Sequence, residues 1–575
     1  MKISTVTLHN FRSIKDSKFD LYDFTLLVGE NNVGKSNIIT ALRVFYEDEK
    51  FSVTKDFPKF ETEDNDSWIE IEFLTTEDEQ ENLKEEYKSE DKKLILRKYL
   101  QSNDNDLVKS NQSNIYAYEN GELSKNLFYG AKNISQAKIG KIIFIPEVSK
   151  TDDSLKMTGP SPFRDMVNFV LKKVITKSES FKTLNTSFES FNTEFKKEAS
   201  ETGFSLKKLE EDINDQISYW KINFGIDINP IQPDDIVKNL ISHFITDQNL
   251  GNQKININQL GQGLQRHLIY SLIKLSAKYV DVKEEKRKEF SPDFTLILFE
   301  EPEAFLHPSQ QEVLNRNLKQ LSKEPTQQIL ITTHSSTYVS KSSDELVTIV
   351  RLKKDESITT THQLNKVSIE SLYDSNLGFF RRFLTMLTDP LVPENIKQKI
   401  RNKNLGNPAL DEVQKLEEET IRYFLWLDAE RSSLFFAKHI IICEGATEKV
   451  FFEYLSNKLW SDIKDKHVYF LDAMGKFNIN RYINLFEKLG ISHSILIDKD
   501  NDADIQGVVN QFLTENKGTL TKKIESFPID FESFLNIPKP PRPDLKPLNA
   551  LYQYKQGNIQ PENIDKLKEL IETLI

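Results

Sequence analysis

The sequence predicts an α/β protein with two sheet-containing units, the first interrupted by a helical insertion and the second smaller. Three observations point to this. Short apolar runs that read as buried strands, among them Thr25-Leu26-Leu27-Val28 and Leu296-Ile297-Leu298-Phe299, alternate with segments of helical spacing. A glycine-rich loop joins the first of these runs to a helix-patterned stretch, 37–45. Over residues 439–497, strand and helix patterns follow one another in a βαβαβ order, which implies a small parallel sheet. A chain of 575 residues is also too long for one core and suggests two to four domains.

Composition narrows the class. Hydrophobic residues make up 38% and charged residues 29%, as in a globular protein with a polar surface. No apolar run approaches the roughly 20 residues that cross a bilayer, so no membrane role is expected. Met1-Lys2-Ile3-Ser4-Thr5-Val6 lacks an apolar targeting segment, and a cytoplasmic location is expected. The single cysteine excludes an intramolecular disulfide framework, and no Cys/His spacing suggests structural zinc. The net charge of −12 argues against a basic coat but leaves room for a local basic groove that meets nucleic acid.

The loop Gly29-Glu30-Asn31-Asn32-Val33-Gly34-Lys35-Ser36 has the phosphate-loop spacing between a strand and a helix. Gly29 and Gly34 let the backbone curl so that its amides, with those of Asn31 and Asn32, point at phosphate oxygens. The helix start adds partial positive charge. Lys35 is placed to reach the β- and γ-phosphates of ATP, and the Ser36 hydroxyl to bind Mg²⁺. Downstream, the strand-patterned 296–299 runs into Glu300-Glu301. Adjacent carboxylates at a strand end are costly unless they meet cations. Glu300 is expected to hold Mg²⁺ through water and Glu301 to act as general base. Leu330-Ile331-Thr332-Thr333-His334 adds a strand with a polar tip, where His334 would sense the γ-phosphate.

Gln259-Leu260-Gly261-Gln262-Gly263-Leu264-Gln265-Arg266 opens a helix-patterned stretch. With it, the pattern resembles the ABC-type ATPases of the structural-maintenance and RecF kind. The resemblance implies a signature loop that caps the nucleotide of an opposite subunit through Gly261, Gly263 and Gln265. Gly261 stands where that family usually has serine. A dimer or larger homo-oligomer would follow.

The second acidic set begins with the apolar run His439-Ile440-Ile441-Ile442-Cys443, which ends in Glu444-Gly445. Thr447 is placed to cap a helix carrying Glu448. Strand-patterned 468–471, the turn Gly475-Lys476, a helix over 481–489 and the strand 494–497 lead to Asp498-Lys499-Asp500. Ligands bind at the carboxyl ends of such parallel strands, where Glu444, Asp498 and Asp500 would converge. Glu444 and Glu448 lie one helical turn apart, and Asp498 and Asp500 share a direction if extended. Hard oxygen ligands suit Mg²⁺, with Mn²⁺ or Ca²⁺ able to substitute. A solvated acidic turn accounts for Asp500-Asn501-Asp502 but not for Glu444, which follows four apolar residues.

This set resembles the Toprim (Rossmann-like) domain of topoisomerases, primases and nucleases. Phe527-Pro528-Ile529-Asp530-Phe531-Glu532 and Lys546-Pro547-Leu548-Asn549-Ala550-Leu551 resemble the terminal elements of its OLD-family (overcoming lysogenization defect) version. That likeness implies Glu532 as a further metal ligand and Lys546 as a catalytic group stabilising charge. The whole chain thus resembles an ABC ATPase fused to a Toprim nuclease, as in Gabija-type and retron-associated defence nucleases. The expected organisation is ATPase over 1–150, a helical and dimerising insertion over 151–235, ATPase again over 236–364, a helical linker over 365–437, and Toprim over 438–575. The expected function is ATP-regulated, metal-dependent DNA cleavage in anti-phage defence. The resemblance also implies a partner such as a helicase, or a reverse transcriptase with its small DNA or RNA. A non-cleaving ATP-gated clamp of the RecF type and a topoisomerase-like enzyme are the alternatives.

Overall fold

A computed structural model describes residues 1–119, 121–130, 139–147, 178–226, 292–339, 343–403, 431–500 and 504–575, with scattered positions between 164 and 290. It divides into two compact units, Met1–Glu147 with Lys288–Ile575, and Val148–Arg287.

The first unit holds two sheets. The strands of the larger are β1 (Lys2–Phe11), β2 (Ile14–Asp20), β3 (Phe24–Val28), β4 (Ser67–Leu74), β5 (Lys93–Gln101), β6 (Ile115–Glu119), β7 (Glu122–Leu127) and β8 (Lys141–Ile145). A short hairpin, β9 (Ile245–Asp247) and β10 (Gln253–Ile255), belongs to the other unit. The large sheet resumes with β11 (Thr295–Glu300), β12 (Gln327–Thr332), β13 (Ile349–Asp355) and β14 (Ile358–Gln363). Its 12 strands run in the order β7-β6-β5-β4-β1-β2-β14-β13-β3-β12-β11-β8.

Two sequence styles build its two halves. From β7 to β2 neighbouring strands are antiparallel. Here β4 alternates buried and half-buried residues, because only one face meets the core. From β13 to β8 every pair is parallel, and β3 and β12 are buried along their whole length. Parallel strands covered on both faces take largely apolar residues, and the polar ones that β12 carries, such as Gln328, are hydrogen-bonded. Helix α1 (Lys35–Phe45) follows β3 and presses Ile38, Ile39, Leu42 and Phe45 into the core shared with β1 and β4.

The second sheet comprises β15 (His439–Cys443), β16 (Val468–Asp472), β17 (His493–Asp498) and β18 (Thr521–Phe527), all parallel, in the order β16-β15-β17-β18. β18 escapes a periodicity reading, because Lys522, Lys523 and Glu525 punctuate it at an open edge of the sheet. The helix carrying Glu448 spans Ala446–Lys458 and starts with Gly445 as its cap, so Thr447 does not cap it. The strand end and the extended Gly445 start the helix earlier than a threonine cap requires, and Thr447 lies buried inside the first turn.

The Val148–Arg287 unit contains the helices Glu179–Phe195 and Leu206–Ile217, capped by Ser178 and Ser205 and separated by a turn with Gly203 at φ +81°. Phe191 stacks on Phe195 at 5.0 Å, and both remain largely exposed. Within 365–437, the residues 404–430 lie outside the described set. Among the described residues no helix is long and apolar enough to cross a membrane.

One side chain ties the front of the large sheet to its parallel half. Gln328, buried on β12, accepts from the Ile3 amide at 2.7 Å and donates to the Ile3 carbonyl at 2.8 Å. Gln328→Leu leaves both Ile3 groups unpaired and is expected to cost about 1–3 kcal/mol, read as a lower urea midpoint. An unchanged midpoint would show that those groups find other partners.

Candidate active sites

Parallel pairing of β3 with β12, and of β12 with β11, brings three strand ends to one edge. They carry Gly29, His334 and the pair Glu300-Glu301. The phosphate loop is shaped for close backbone approach. Gly34 has φ +104°, and a Cβ there would crowd Thr359 Oγ1 and Ser13 Oγ. Asn31, Asn32 and Ser36 are exposed. No side chain caps α1, so the amides at its start remain open to an anion. Lys35 is buried, and its ammonium donates to the carbonyls of Gly29 at 3.0 Å and Glu30 at 2.7 Å. Burial pulls its pKa down to about 8 against the nearby carboxylates of Glu301 and Glu303.

Glu301 leaves β11 in a left-handed conformation, φ +43°, and its amide donates to the Thr332 carbonyl at 2.9 Å. This turn sets Glu301 Oε1 3.3 Å from His334 Nε2. Burial, followed by the charge of Lys35, pulls His334 down to about 4, so a neutral imidazole faces Glu301 at neutral pH. Burial, then Glu147 and Glu303, raises the Glu301 carboxyl. Glu300, half-buried at the end of β11, precedes this pair. Glu303 went unnoticed in the sequence. Its Oε1 accepts from Thr333 Oγ1 at 2.8 Å and from the amides of His334 and Ser335 at 2.6 and 3.2 Å, which fixes the histidine loop. A third acid so close to Glu300-Glu301 was the available signal. Gly261, Gly263 and Gln265 lie in the Val148–Arg287 unit, where Gly261 accepts from the Leu264 and Gln265 amides and Gln265 Nε2 donates to the Leu260 carbonyl at 2.7 Å.

At the carboxyl edge of the small sheet, Glu444 follows β15 and Asp498 ends β17, and these strands are neighbours. The Asp498 amide lies 3.4 Å from Glu444 Oε2, and Asp498 Oδ1 accepts from the Phe531 amide at 3.1 Å. Glu448 is only 7% exposed. Burial pushes its carboxyl up to about 8, with Asp498 and Glu444 adding repulsion. Burial likewise raises Asp498 to about 7, reinforced by Glu444 and Asp500, and raises Glu444 itself. Glu532 is buried beside these groups, and Lys546 Nζ lies 3.1 Å from its Oε1. Burial works against the Lys546 charge, but the hydrogen bond to Glu532 and the surrounding carboxylates raise its pKa.

Asp500 departs from the expected arrangement. Its φ of +54° breaks the extended run, and its Oδ2 pairs with Lys476 Nζ at 2.5 Å. Lys476, read from the sequence as a turn residue, is 1% exposed. Its ammonium also donates to the Asp498 carbonyl at 2.7 Å and lies 3.4 Å from Glu444 Oε2. The only sequence signal was a lysine directly after a glycine at the strand exit. Among the described residues, no three potential ligands converge closely enough to hold an ion as the side chains stand.

A family model described as an AAA ATPase domain matches residues 1–156 and 161–339, more than half of the chain. A second, described as an overcoming lysogenization defect protein-like TOPRIM domain, matches residues 435–500. The chain belongs to the OLD family of ATPases joined to a TOPRIM domain. It is 24% identical over 557 residues to the Old nuclease of Escherichia phage P2, covering 92% of this chain and 81% of that protein. To endonuclease GajA of Bacillus cereus (strain HuB5-5) it is 25% identical over 608 residues, covering 93% of this chain and 79% of the relative. Among solved structures, Stu0660 of Streptococcus thermophilus is 12% identical with a TM-score of 0.36, covering 74% of this chain and 94% of that one.

The donor chemistry of the OLD-family TOPRIM edge fits a hard divalent cation. Glu448 is buried and Glu444 and Asp498 are half-buried; Glu444 raises the pKa of both others, and Asp498 raises that of Glu448. Among the described residues Glu448 has no cationic side chain paired to it. An oxygen-binding dication relieves that repulsion. Several flanking basic residues are already neutralised, including Arg381 with Asp374, Lys399 with Asp504 and Lys539 with Asp530.

The raised carboxyls set a pH dependence. Glu448 and Asp498 move from ordinary values of 4.5 and 3.8 to about 8 and about 7. Below pH ~4 they are protonated in folded and unfolded chains alike. As the pH rises, the unfolded chain releases those protons first, so folding stability is lost between about pH 4 and 8. In chelator, the urea midpoint is therefore expected to fall from pH 5 to pH 8. Glu448→Gln should flatten that slope, and millimolar Mg²⁺ should restore the midpoint at pH 8. A midpoint insensitive to pH and Mg²⁺ would remove the case for a cation here.

Proposed function

We propose that this protein is an ATP-binding, metal-dependent DNA endonuclease whose TOPRIM edge hydrolyses phosphodiesters under the control of the ATPase domain. The observation that carries the reading is the carboxyl set Glu444, Glu448 and Asp498, in which burial and the charge of Glu444 push up Glu448 and Asp498, with Lys546 and Glu532 beside it, in the same chain as a phosphate loop. Two relatives bearing the names Old nuclease and endonuclease GajA support it.

In this reading Glu444, Glu448, Asp498 and Glu532 hold Mg²⁺, with Mn²⁺ or Ca²⁺ able to substitute, while Asp500 acts through Lys476. The bound ion supplies Lewis acidity and an activated water. Lys546 places its ammonium where charge develops on the scissile phosphate. In the head, Asn31, Asn32, Gly34, Lys35 and Ser36 hold ATP with its Mg²⁺, Glu300 supports that ion, Glu301 orients water, and His334 meets the γ-phosphate. Gly261, Gly263 and Gln265 complete the nucleotide site of a second subunit, so the active form is a dimer or tetramer. Residues 151–235 join the subunits, 1–150 with 236–364 form the head, 365–437 link it, and 438–575 form the nuclease. Anti-phage defence in the cytoplasm, with a helicase or reverse-transcriptase partner, is the biological setting inferred. A non-cleaving clamp is the second reading, favoured by the Lys476 ammonium lodged among the carboxylates.

Purified protein is expected to nick supercoiled plasmid with Mg²⁺ and not with EDTA, and Asp498→Ala or Glu444→Ala should lower the rate at least about a hundredfold. Undiminished nicking by the double variant would reject the site. Separately, Lys35→Ala is expected to lose ATP hydrolysis by a similar factor, measured as phosphate release. Retained hydrolysis would reject the nucleotide assignment.

A further inference from the structure

The guanidinium of Arg351 is buried where the large sheet meets the small one, at 3% exposure. It donates to four backbone carbonyls, those of Phe435 at 3.2 Å, Ala437 at 3.0 Å, Leu489 at 3.3 Å and Gly490 at 3.0 Å. Among the described residues no carboxylate pairs with it. The first two acceptors lie just before β15, and the other two lie in the turn before β17. These are the two strands whose far ends carry Glu444 and Asp498. A buried charge satisfied by carbonyls alone fixes backbone position, because each acceptor must stay in place to keep the charge solvated.

The same hairpin, β13–β14, is locked onto the phosphate loop. Arg351 is in register with Val28, the residue before Gly29. A Cβ at Gly29 would collide with the Leu352 carbonyl, so the loop's entry rests directly on β13. On β14, Thr359 Oγ1 donates to the Val33 carbonyl at 2.8 Å and shares a hydrogen bond with Ser13 Oγ at 2.7 Å. His362, which faces Arg351 across the hairpin, sits so close to Gly490 that a Cβ there would strike its ring.

We propose that the β13–β14 hairpin transmits nucleotide occupancy of the phosphate loop to the TOPRIM carboxylates, with Arg351 as the positioning residue that grips the roots of β15 and β17. The regulatory meaning rests on the endonuclease reading above. From its roots to Glu444, β15 carries a displacement over roughly 20 Å of strand. Rigid, hydrogen-bonded elements of this kind bias a distant site when they have two arrangements.

Hydrogen–deuterium exchange on the full chain, with and without a non-hydrolysable ATP analogue and at constant Mg²⁺, measures it. In the unmodified protein the analogue should slow exchange in residues 29–38 and change exchange in 437–443 and 489–495 about fivefold or more. In Arg351→Met, protection of 29–38 should persist while the response of 437–443 and 489–495 disappears. Arg351→Lys should keep a partial response. A merely structural role would raise exchange in both nucleotide states equally and leave their ratio unchanged. Should Arg351→Met fail to fold, Thr359→Val at saturating analogue cuts the same route at the loop end and should also abolish the response. An unmodified protein with no response beyond residue 38, or an Arg351 variant that keeps the full response, overturns the proposal. The readout needs no cleavage, so an inert nuclease would sink the endonuclease reading and leave this result standing.

Discussion

Parallel pairing of β3 with β12 on one side and β13 on the other is the constraint on which the first unit depends. The register joins Phe24 to Ile329 and Val28 to Arg351, partners separated by some three hundred residues of chain. Closing so long a loop costs little more than closing one half as long, since the entropy grows only logarithmically. The Val148–Arg287 unit can therefore interrupt the head without dismantling its sheet. The cluster at the end of the phosphate loop nevertheless exists only after this closure. Lys35 arrives from the first segment and Glu301, Glu303 and His334 from the second; across the seam Glu301 and Glu303 support the Lys35 charge, and Lys35 lowers the pKa of Glu301 and His334.

Three buried cations organise the same unit in three different ways. Lys35 turns its ammonium onto the carbonyls of its own loop, which keeps the buried charge solvated. Arg351 donates to four backbone carbonyls around the starts of β15 and β17, so it fixes backbone position. Lys476 meets carboxylates and therefore acts as a counterion. Each arrangement satisfies the rule that a buried charge persists only with partners, and the partner type decides what the residue can do next. Backbone carbonyls hold geometry. Carboxylates can exchange an ammonium for a metal.

The sequence carried the strands and the loop well, because their signals are local. Thr25-Leu26-Leu27-Val28 before a glycine loop, and four apolar residues before Glu444, show strand and site within a few positions. What depends on partners distant in sequence stayed hidden. Nothing near Lys476 announces that its ammonium lies among Glu444 and Asp500. Glu303 looks like an ordinary acid until the histidine loop folds over it. Arg351 is one basic residue in the stretch Arg351-Leu352-Lys353-Lys354, and only tertiary packing separates it from the half-buried Lys353 and Lys354. Asp500 shares a direction with Asp498 only in an extended segment, and its left-handed backbone instead turns the carboxylate toward Lys476.

The Lys476 pairing bears on why a site with so much negative charge folds at all without an ion. Glu444, Glu448 and Asp498 answer burial and mutual repulsion by holding protons to higher pH. Lys476 removes part of the remaining field by drawing Asp500 away and standing against Glu444. A dication delivered to Glu448 and Asp498 would release their protons and compete with that ammonium for Glu444. As it stands, the cluster is closed on the lysine. The lysine is held by the Asp498 carbonyl as well as by the carboxylates of Asp500 and Glu444, so the end of β17 contributes to its position. β17 is one of the two strands whose roots Arg351 holds.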